Sequence, residues 1–125
     1  MRILLVVVVA LVAPFLPACT NNCSDRVSVH PVLILDGQTG GIAPTAVVTA
    51  TNLDKTGMDT QIASEGGIAH ITEKVGGGTV RYVATIGTRQ SVPVDVEWTC
   101  DECHCCPAPG SVDTITVPLT PTRPA

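Results

Sequence analysis

The densest group of reactive side chains lies near the C-terminal end of the chain. Residues 100–106 read Cys-Asp-Glu-Cys-His-Cys-Cys and so place four thiols and an imidazole within seven positions. Side chains of these types at this spacing can form structural disulfides, or bind a soft metal ion such as zinc or copper. They can also exchange electrons through a Cys-x-x-Cys pair. These three kinds of chemistry are the alternatives for the segment.

Structural disulfides are the interpretation that we favour. Cys23 lies far from the segment in sequence, and a Cys23–Cys103 bridge would close a loop of roughly 80 residues, which is worth about 4 kcal/mol in the chain-entropy model. A second bridge, from Cys100 to either Cys105 or Cys106, is reachable across a turn. We favour Cys100–Cys106, which leaves Cys105 over, and a bridge between the adjacent Cys105 and Cys106 would strain the backbone. We expect such bridges to stabilise a small core that is poor in aromatic residues.

Metal binding is the first alternative. Cys100 and Cys103 have the spacing that lets two sulfurs reach one zinc or copper ion. His104, Cys105 or Cys106 would complete a tetrahedral site. No further Cys-x-x-Cys pair lies outside the segment to support this hypothesis.

A redox role is the second alternative. Thioredoxin-like Cys-x-x-Cys motifs lie at a helix N-terminus that favours the thiolate. Here Asp101 and Glu102 separate the first two cysteines, and their negative charges disfavour the thiolate form. No alternating strand and helix pattern surrounds the segment, so the residues favour this role least.

The first 18 residues predict an export signal. Arg2 provides a positive start, and an apolar stretch broken only by Pro14 follows from Ile3 to Leu16. This stretch is shorter than the ~20 residues that span a bilayer, and it has the length and charge order of a secretory signal. No later segment of the sequence is apolar enough to span a bilayer. We therefore expect residues 1–18 to be removed.

The end of that signal carries a more specific motif. Leu16-Pro17-Ala18-Cys19 resembles the lipobox of bacterial lipoproteins. The resemblance implies that Cys19 is diacylated on sulfur, becomes the new N-terminus and anchors the chain to a membrane of the cell envelope, the outer membrane in a Gram-negative cell. Residues 19–26 would be a lipidated tether. The alternative is an ordinary signal peptide cleaved nearby, which leaves Cys19 as a thiol or a disulfide partner.

Export and acylation both bear on the cysteines. Disulfides persist in the oxidising compartments outside the cytosol. An acylated Cys19 leaves five cysteines for pairing, which is an odd number. At least one of them then stays free, pairs between molecules or binds a ligand.

The rest of the chain has the composition of β-structure. Val, Ile and Thr make up 36 of the 107 residues from Cys19 onward, and short glycine- or proline-containing turns separate the runs that they form. These runs predict an all-β fold, a seven-stranded Greek-key β-sandwich of immunoglobulin-like or transthyretin-like type. The predicted strands are residues 26–35, 45–53, 60–63, 68–72, 79–86, 91–98 and 112–119.

The strand pattern also predicts a pairing, an edge position and the bounds of the domain. Residues 60–63 and 68–72 flank a turn and are predicted to form a hairpin. Strand 91–98 alternates apolar and polar residues, and Pro93 within it predicts either an edge strand or a proline nitrogen that points outward. We expect one domain over residues 27–119, with residues 100–106 as a cysteine-rich loop and residues 120–125 as a disordered tail.

Short motifs in this domain resemble the carboxypeptidase regulatory-like (transthyretin-like) β-sandwich. They are Asp36 with Thr39-Gly40, then Gly66-Gly67-Ile68-Ala69, and finally Val80-Arg81-Tyr82-Val83. The resemblance implies a binding, spacer or folding-support module rather than a catalyst. Its partner would be an envelope protein or a glycan.

Charge and composition exclude other classes. Without Arg2 the chain keeps six basic and eleven acidic residues, and without Phe15 its only aromatic residues are Tyr82 and Trp98. A nucleic-acid partner is therefore not expected.

The sequence has no catalytic motif around its serines, and Asp95 and Glu97 are explained by the polar face of a strand. We predict a protein that is not an enzyme and has no cofactor. His30 and His70 are predicted to be solvent-facing or hydrogen-bonded strand residues rather than ligands.

Overall fold

β-Branched residues at alternating positions build short strands throughout residues 28–119, which are the residues that the computed structural model describes. Within that range there are nine strands and one 3-10 turn, Glu73–Val75. The strands are β1 (Val29–Asp36), β2 (Val47–Asn52), β3 (Met58–Ile62), β4 (Ile68–Thr72), β5 (Gly78–Ile86), β6 (Arg89–Gln90), β7 (Val94–Cys100), β8 (Cys105–Pro107) and β9 (Thr114–Val117).

The strands form two sheets that pack as a sandwich. The smaller sheet has the order β4-β1-β9, and the larger has the order β3-β2-β5-β7-β8 with β6 paired to β5. Strand β1 runs parallel to β9, while the other strand pairs are antiparallel. The predicted all-β sandwich class is confirmed. Strands β3 and β8 lie at the two ends of the larger sheet.

The core lies between the sheets and follows the alternation of the strands. On β5, Val80, Tyr82 and Ala84 are buried, and on β7, Val96 and Trp98 are buried. The facing side chains from the smaller sheet include Val32, Ile34, Ile71 and Ile115. The period-two pattern therefore predicted the inward faces of β5 and β7 correctly.

The strand count and two strand positions differ from the prediction. Nine strands are present within residues 28–119 where seven were predicted, because β6 and β8 are two and three residues long and leave no periodic signal. The predicted loop 100–106 contains the end of β7 and the first two residues of β8, so that segment is the turn of a hairpin. Strand β7 begins after Pro93 and lies between β5 and β8, so the edge-strand alternative for Pro93 was wrong.

The predicted hairpin between residues 60–63 and 68–72 was also wrong. Strand β3 pairs with β2 in the larger sheet, whereas β4 pairs with β1 in the smaller sheet. The turn between them is tight, with Ser64 N–H donating to the Ile68 carbonyl. The chain nevertheless passes from one layer to the other, and the turn residues carry no signal that distinguishes a crossing from a hairpin.

The predicted leader and tail cannot be placed in this fold. The signal peptide (residues 1–18), the tether (19–26) and the tail (120–125) lie outside the described residues, as do Cys19 and Cys23. Across residues 28–119, no helix has the length and apolar character needed to cross a membrane.

Candidate functional site

The cysteine-bearing segment is the hairpin of β7 and β8, and the Asp101 side chain shapes its turn. Asp101 N–H donates to the His104 carbonyl at 2.9 Å. The Asp101 carboxylate accepts from the N–H groups of Cys103 and His104, both at 2.8 Å. These bonds lower the pKa of Asp101. The acidic residue is thus a structural part of the turn rather than a free charge beside the thiols.

Cys100 and Cys105 form a disulfide across this hairpin. They lie directly opposite each other in the strand register. The neighbouring pair, Asp101 and His104, is hydrogen-bonded, so Cys100 and Cys105 form the alternate type of pair, in which side chains approach most closely. The register therefore brings the two sulfurs together.

The cysteine pairing differs from the predicted one. The Cys100–Cys106 bridge was wrong, because Cys106 lies opposite Thr99, and Cys105 is not left over. Cys103 and Cys106 each take part in a disulfide as well, and no cysteine within residues 28–119 is free. The predicted partner of Cys103 was Cys23, which lies outside the described residues.

A glycine makes room for the disulfide. A Cβ atom on Gly77 would lie 2.9 Å from the Cys100 sulfur, which is closer than Cβ atoms normally approach. Gly77 therefore has a local packing role beside the hairpin.

Glu73 joins three parts of the fold at the base of the hairpin. One carboxylate oxygen accepts from Cys105 N–H at 2.8 Å. The other accepts from Ser28 N–H at 3.0 Å and lies 3.1 Å from His104 Nδ1. Partial burial by itself raises the pKa of Glu73, but the donors at Cys105, His104 and Ser28 outweigh it, and the pKa lies below its ordinary value. The ionised carboxylate thus links the start of β1 to β8.

His104 is buried rather than presented to solvent, with only 8% of its surface exposed. Its Nδ1 atom faces Glu73, and the disulfide removes the thiolate form of Cys100 and Cys105 that a metal ion needs. Within residues 28–119, no group of three or more His, Cys, Asp or Glu side chains is arranged to hold a metal ion. The proposed ligands are close in sequence, but in the structure Cys100 and Cys105 form a disulfide and His104 contacts Glu73.

Beneath the hairpin, His30, Tyr82 and Trp98 form a buried polar group in the core. Trp98 Nε1 donates to the Tyr82 hydroxyl at 3.0 Å, and that hydroxyl lies 2.8 Å from His30 Nδ1. His30 also donates a hydrogen bond to the backbone of Val112. In the neutral ring this leaves Nδ1 as the acceptor of the Tyr82 proton. Burial lowers the pKa of His30, although the charge of Asp113 opposes the shift, and burial raises the pKa of Tyr82.

The remaining candidate residues also have structural partners or exposed positions. Asp95 forms a two-bond ion pair with Arg81 on the outer face of the larger sheet, and this bonding lowers the pKa of Asp95. Glu97 accepts from the Thr79 hydroxyl across the same pair of strands. His70 lies exposed on β4. The outer-face interpretation of Asp95 and Glu97 is thus supported by their contacts.

Three acidic residues with structural roles were missed by sequence reasoning. Besides Glu73, Asp59 is buried and accepts from Thr72 N–H at 2.8 Å. Asp36 forms a two-bond ion pair with Arg89. Each partner lies between 13 and 53 residues away in sequence, so no local motif signals these contacts.

Comparison with known proteins gives no relative from which to transfer a role. No family model, no curated protein and no solved structure matches the chain. The resemblances to the lipobox and to the carboxypeptidase regulatory-like sandwich therefore remain hypotheses from the sequence.

Proposed function

We propose that this protein is a lipid-anchored, non-catalytic β-sandwich of the bacterial cell envelope, which serves as a structural or interaction module. The observation that supports a non-catalytic role is the use of the reactive side chains. Cys100 and Cys105 are bonded to each other, and the Glu73 carboxylate is shared by three donors. Groups held in this way stabilise a fold and leave no prepared nucleophile or base at the hairpin.

The anchor is supported by the sequence that precedes the sandwich. The lipobox-like residues end at Cys19, and the first strand begins ten positions later, at Val29. A short tether of this kind would hold the domain close to the membrane surface. Two or three acyl chains give stable attachment.

Metabolic labelling with radioactive palmitate tests the anchor. We expect the full chain, expressed in a bacterial host, to carry label and to sediment with membranes. Cys19→Ala should abolish both properties. Cys23→Ala is the matched control, because it removes a neighbouring cysteine but leaves the lipobox intact. An unlabelled wild-type protein, or equal labelling of both variants, would refute the anchor.

An intact mass of the membrane-extracted protein, measured without reduction, provides the second test. One sulfur cannot carry both an acyl-glycerol thioether and a disulfide. Acylation at Cys19 therefore predicts five remaining cysteines and either one alkylatable thiol or one bridge between two chains. A chain with an unmodified Cys19 and three internal disulfides would overturn the proposal. A stoichiometric zinc or copper ion would instead support the alternative of an envelope metal-binding protein at residues 100–106.

A further inference from the structure

Strand β3 presents backbone groups that no other described residue engages. The Gly57 carbonyl accepts from Asn52 N–H on β2, and Ala63 N–H donates to the Ala46 carbonyl just before β2. The strand register alternates between these two bonded positions. Met58, Thr60 and Ile62 therefore occupy the positions whose N–H and C=O groups point away from β2. No hydrogen bond within residues 28–119 uses these groups. The outer edge of β3 is thus open for pairing.

Strands β8 and β4 are also edge strands, but some of their outward backbone groups have partners or lack an N–H. On β8, Cys105 N–H is bound by Glu73 and Pro107 has no N–H to offer. On β4, Thr72 N–H is bound by Asp59, and the Ile68 carbonyl accepts from Ser64 N–H. Proteins commonly protect edge strands with proline, with charged residues or with a covering group. None of these devices occurs at the outward positions of β3.

The side chains at the open edge are apolar or neutral. Met58 and Ile62 are 54% and 65% exposed, and Thr60 between them is exposed as well. Thr60 and Ile62 are β-branched residues that favour strands, and Met58 is compatible with one. An extended partner strand would cover this apolar surface and satisfy the backbone groups at once.

The sequence around Thr60 is complementary to itself. If a second β3 pairs antiparallel with the first about Thr60, Met58 of each copy lies opposite Ile62 of the other. Lys55 and Glu65, both exposed, lie five positions on either side of Thr60. The same register therefore places each Lys55 near the Glu65 of the other copy, in the turns that flank the strand. Apolar and charged residues are matched in a single two-fold arrangement.

We infer that the β3 edge is a homodimer interface, in which two copies of this chain join their larger sheets into one continuous sheet. The three outward residues of each strand exchange backbone hydrogen bonds with the other copy. A second copy of this chain offers the Met58–Ile62 contacts and the Lys55–Glu65 contacts in one register. This inference does not depend on the proposed membrane anchor.

Sedimentation velocity of the full chain, in a density-matched neutral detergent, tests the interface over a hundredfold range of concentration. We expect a monomer–dimer equilibrium whose dimer separates in non-reducing SDS. Thr60→Lys places two like charges face to face on the two-fold axis and should weaken the dimer by about tenfold or more. Thr116→Lys, at an exposed position of the other sheet's edge strand β9, is the matched control and should leave the dissociation constant unchanged.

A charge exchange tests the register without altering the strand. Lys55→Glu should weaken the dimer by about threefold, as should Glu65→Lys, because each puts like charges together at both ends of the interface. The double variant should restore the wild-type dissociation constant. Circular dichroism and the intact disulfide verify folding of each variant.

Two results would overturn the inference. One is a monomer at every concentration, which would mean that the edge is unused or accepts a different extended chain. The other is a dimer that Thr60→Lys leaves unchanged, including one linked by a disulfide. Failure of the charge exchange with a dimer sensitive to Thr60→Lys would overturn the register about Thr60.

Discussion

The two ends of the larger sheet are held in different ways. At the β8 end, the distant Glu73 carboxylate binds the outward Cys105 N–H, and a disulfide joins the strand to its neighbour. At the β3 end, the outward groups of Met58, Thr60 and Ile62 have no partner within residues 28–119. The difference shows that edge protection is a local property of individual strands. It also separates residues that stabilise this chain from residues that suit association with another.

The largest expected effect comes from Glu73→Ala. This change leaves Cys105 N–H, Ser28 N–H and the buried His104 without their shared acceptor. Since each orphaned group costs about 1–3 kcal/mol, we expect the free energy of unfolding to fall by about 3 kcal/mol. Urea denaturation measures it. Glu65→Ala, near the β3 end, is the control and should change stability by less than about 0.5 kcal/mol. Equal effects at both positions would remove the contrast between the two ends.

Removal of the hairpin disulfide should have the next largest effect. Cys100→Ala with Cys105→Ala opens a loop with a sequence separation of five, and the chain-entropy model gives a loss of about 2 kcal/mol. Thermal or urea unfolding of the double variant checks this value. The dimer dissociation constant should stay the same, because the hairpin lies at the far end of the sheet from β3. A weakened dimer would show that the two ends are coupled.

The pH dependence of stability sharpens the role of Glu73. Its pKa is lower in the folded protein than the ordinary value of 4.5, despite the opposing effect of burial. Its contribution is therefore complete above pH 4.5 and is lost as the pH falls through the lower folded-state pKa. Glu73→Gln should give a flatter decline of stability in acid than the wild type. Denaturation curves at a series of pH values provide the measurement, and parallel declines would contradict this assignment.

The smallest effect on folding is expected at β3. Met58→Thr and Ile62→Thr replace side chains that are more than half exposed, so each should change the free energy of unfolding by less than about 0.5 kcal/mol. The same changes should weaken self-association. Stability and dissociation constant measured on one preparation would separate the two effects. A large loss of stability would mean that this edge already stabilises the monomer.

Sequence reasoning predicted the parts of the fold that depend on local patterns. Strand β4 has the predicted bounds, Ile68–Thr72, and the alternation along β5 gave the buried positions of Val80 and Tyr82. Burial of every second residue leaves a period-two signal in any strand with one polar face. The all-β class could be predicted for the same reason.

The parts that depend on distant contacts could not be predicted. The cysteine pairing depends on the register of the β7–β8 hairpin, and a shift of one residue would exchange Cys105 for Cys106 as the residue opposite Cys100. Glu73 lies 32 residues from Cys105 and has no motif around it. The turn before β4 has the composition of a hairpin turn, although its two strands lie in different sheets.

The parallel pairing of β1 with β9 determines when the domain can be completed. The paired residues Leu33 and Thr114 are about 80 positions apart, so this contact is among the most non-local in the fold. Arg89 strengthens the same closure, because it binds both Asp36 and the Pro118 carbonyl. A ribosome releases β1 first and β9 last. Strand β1 can therefore pair with β9 only after β9 has been synthesised, so the smaller sheet is completed when synthesis is nearly finished.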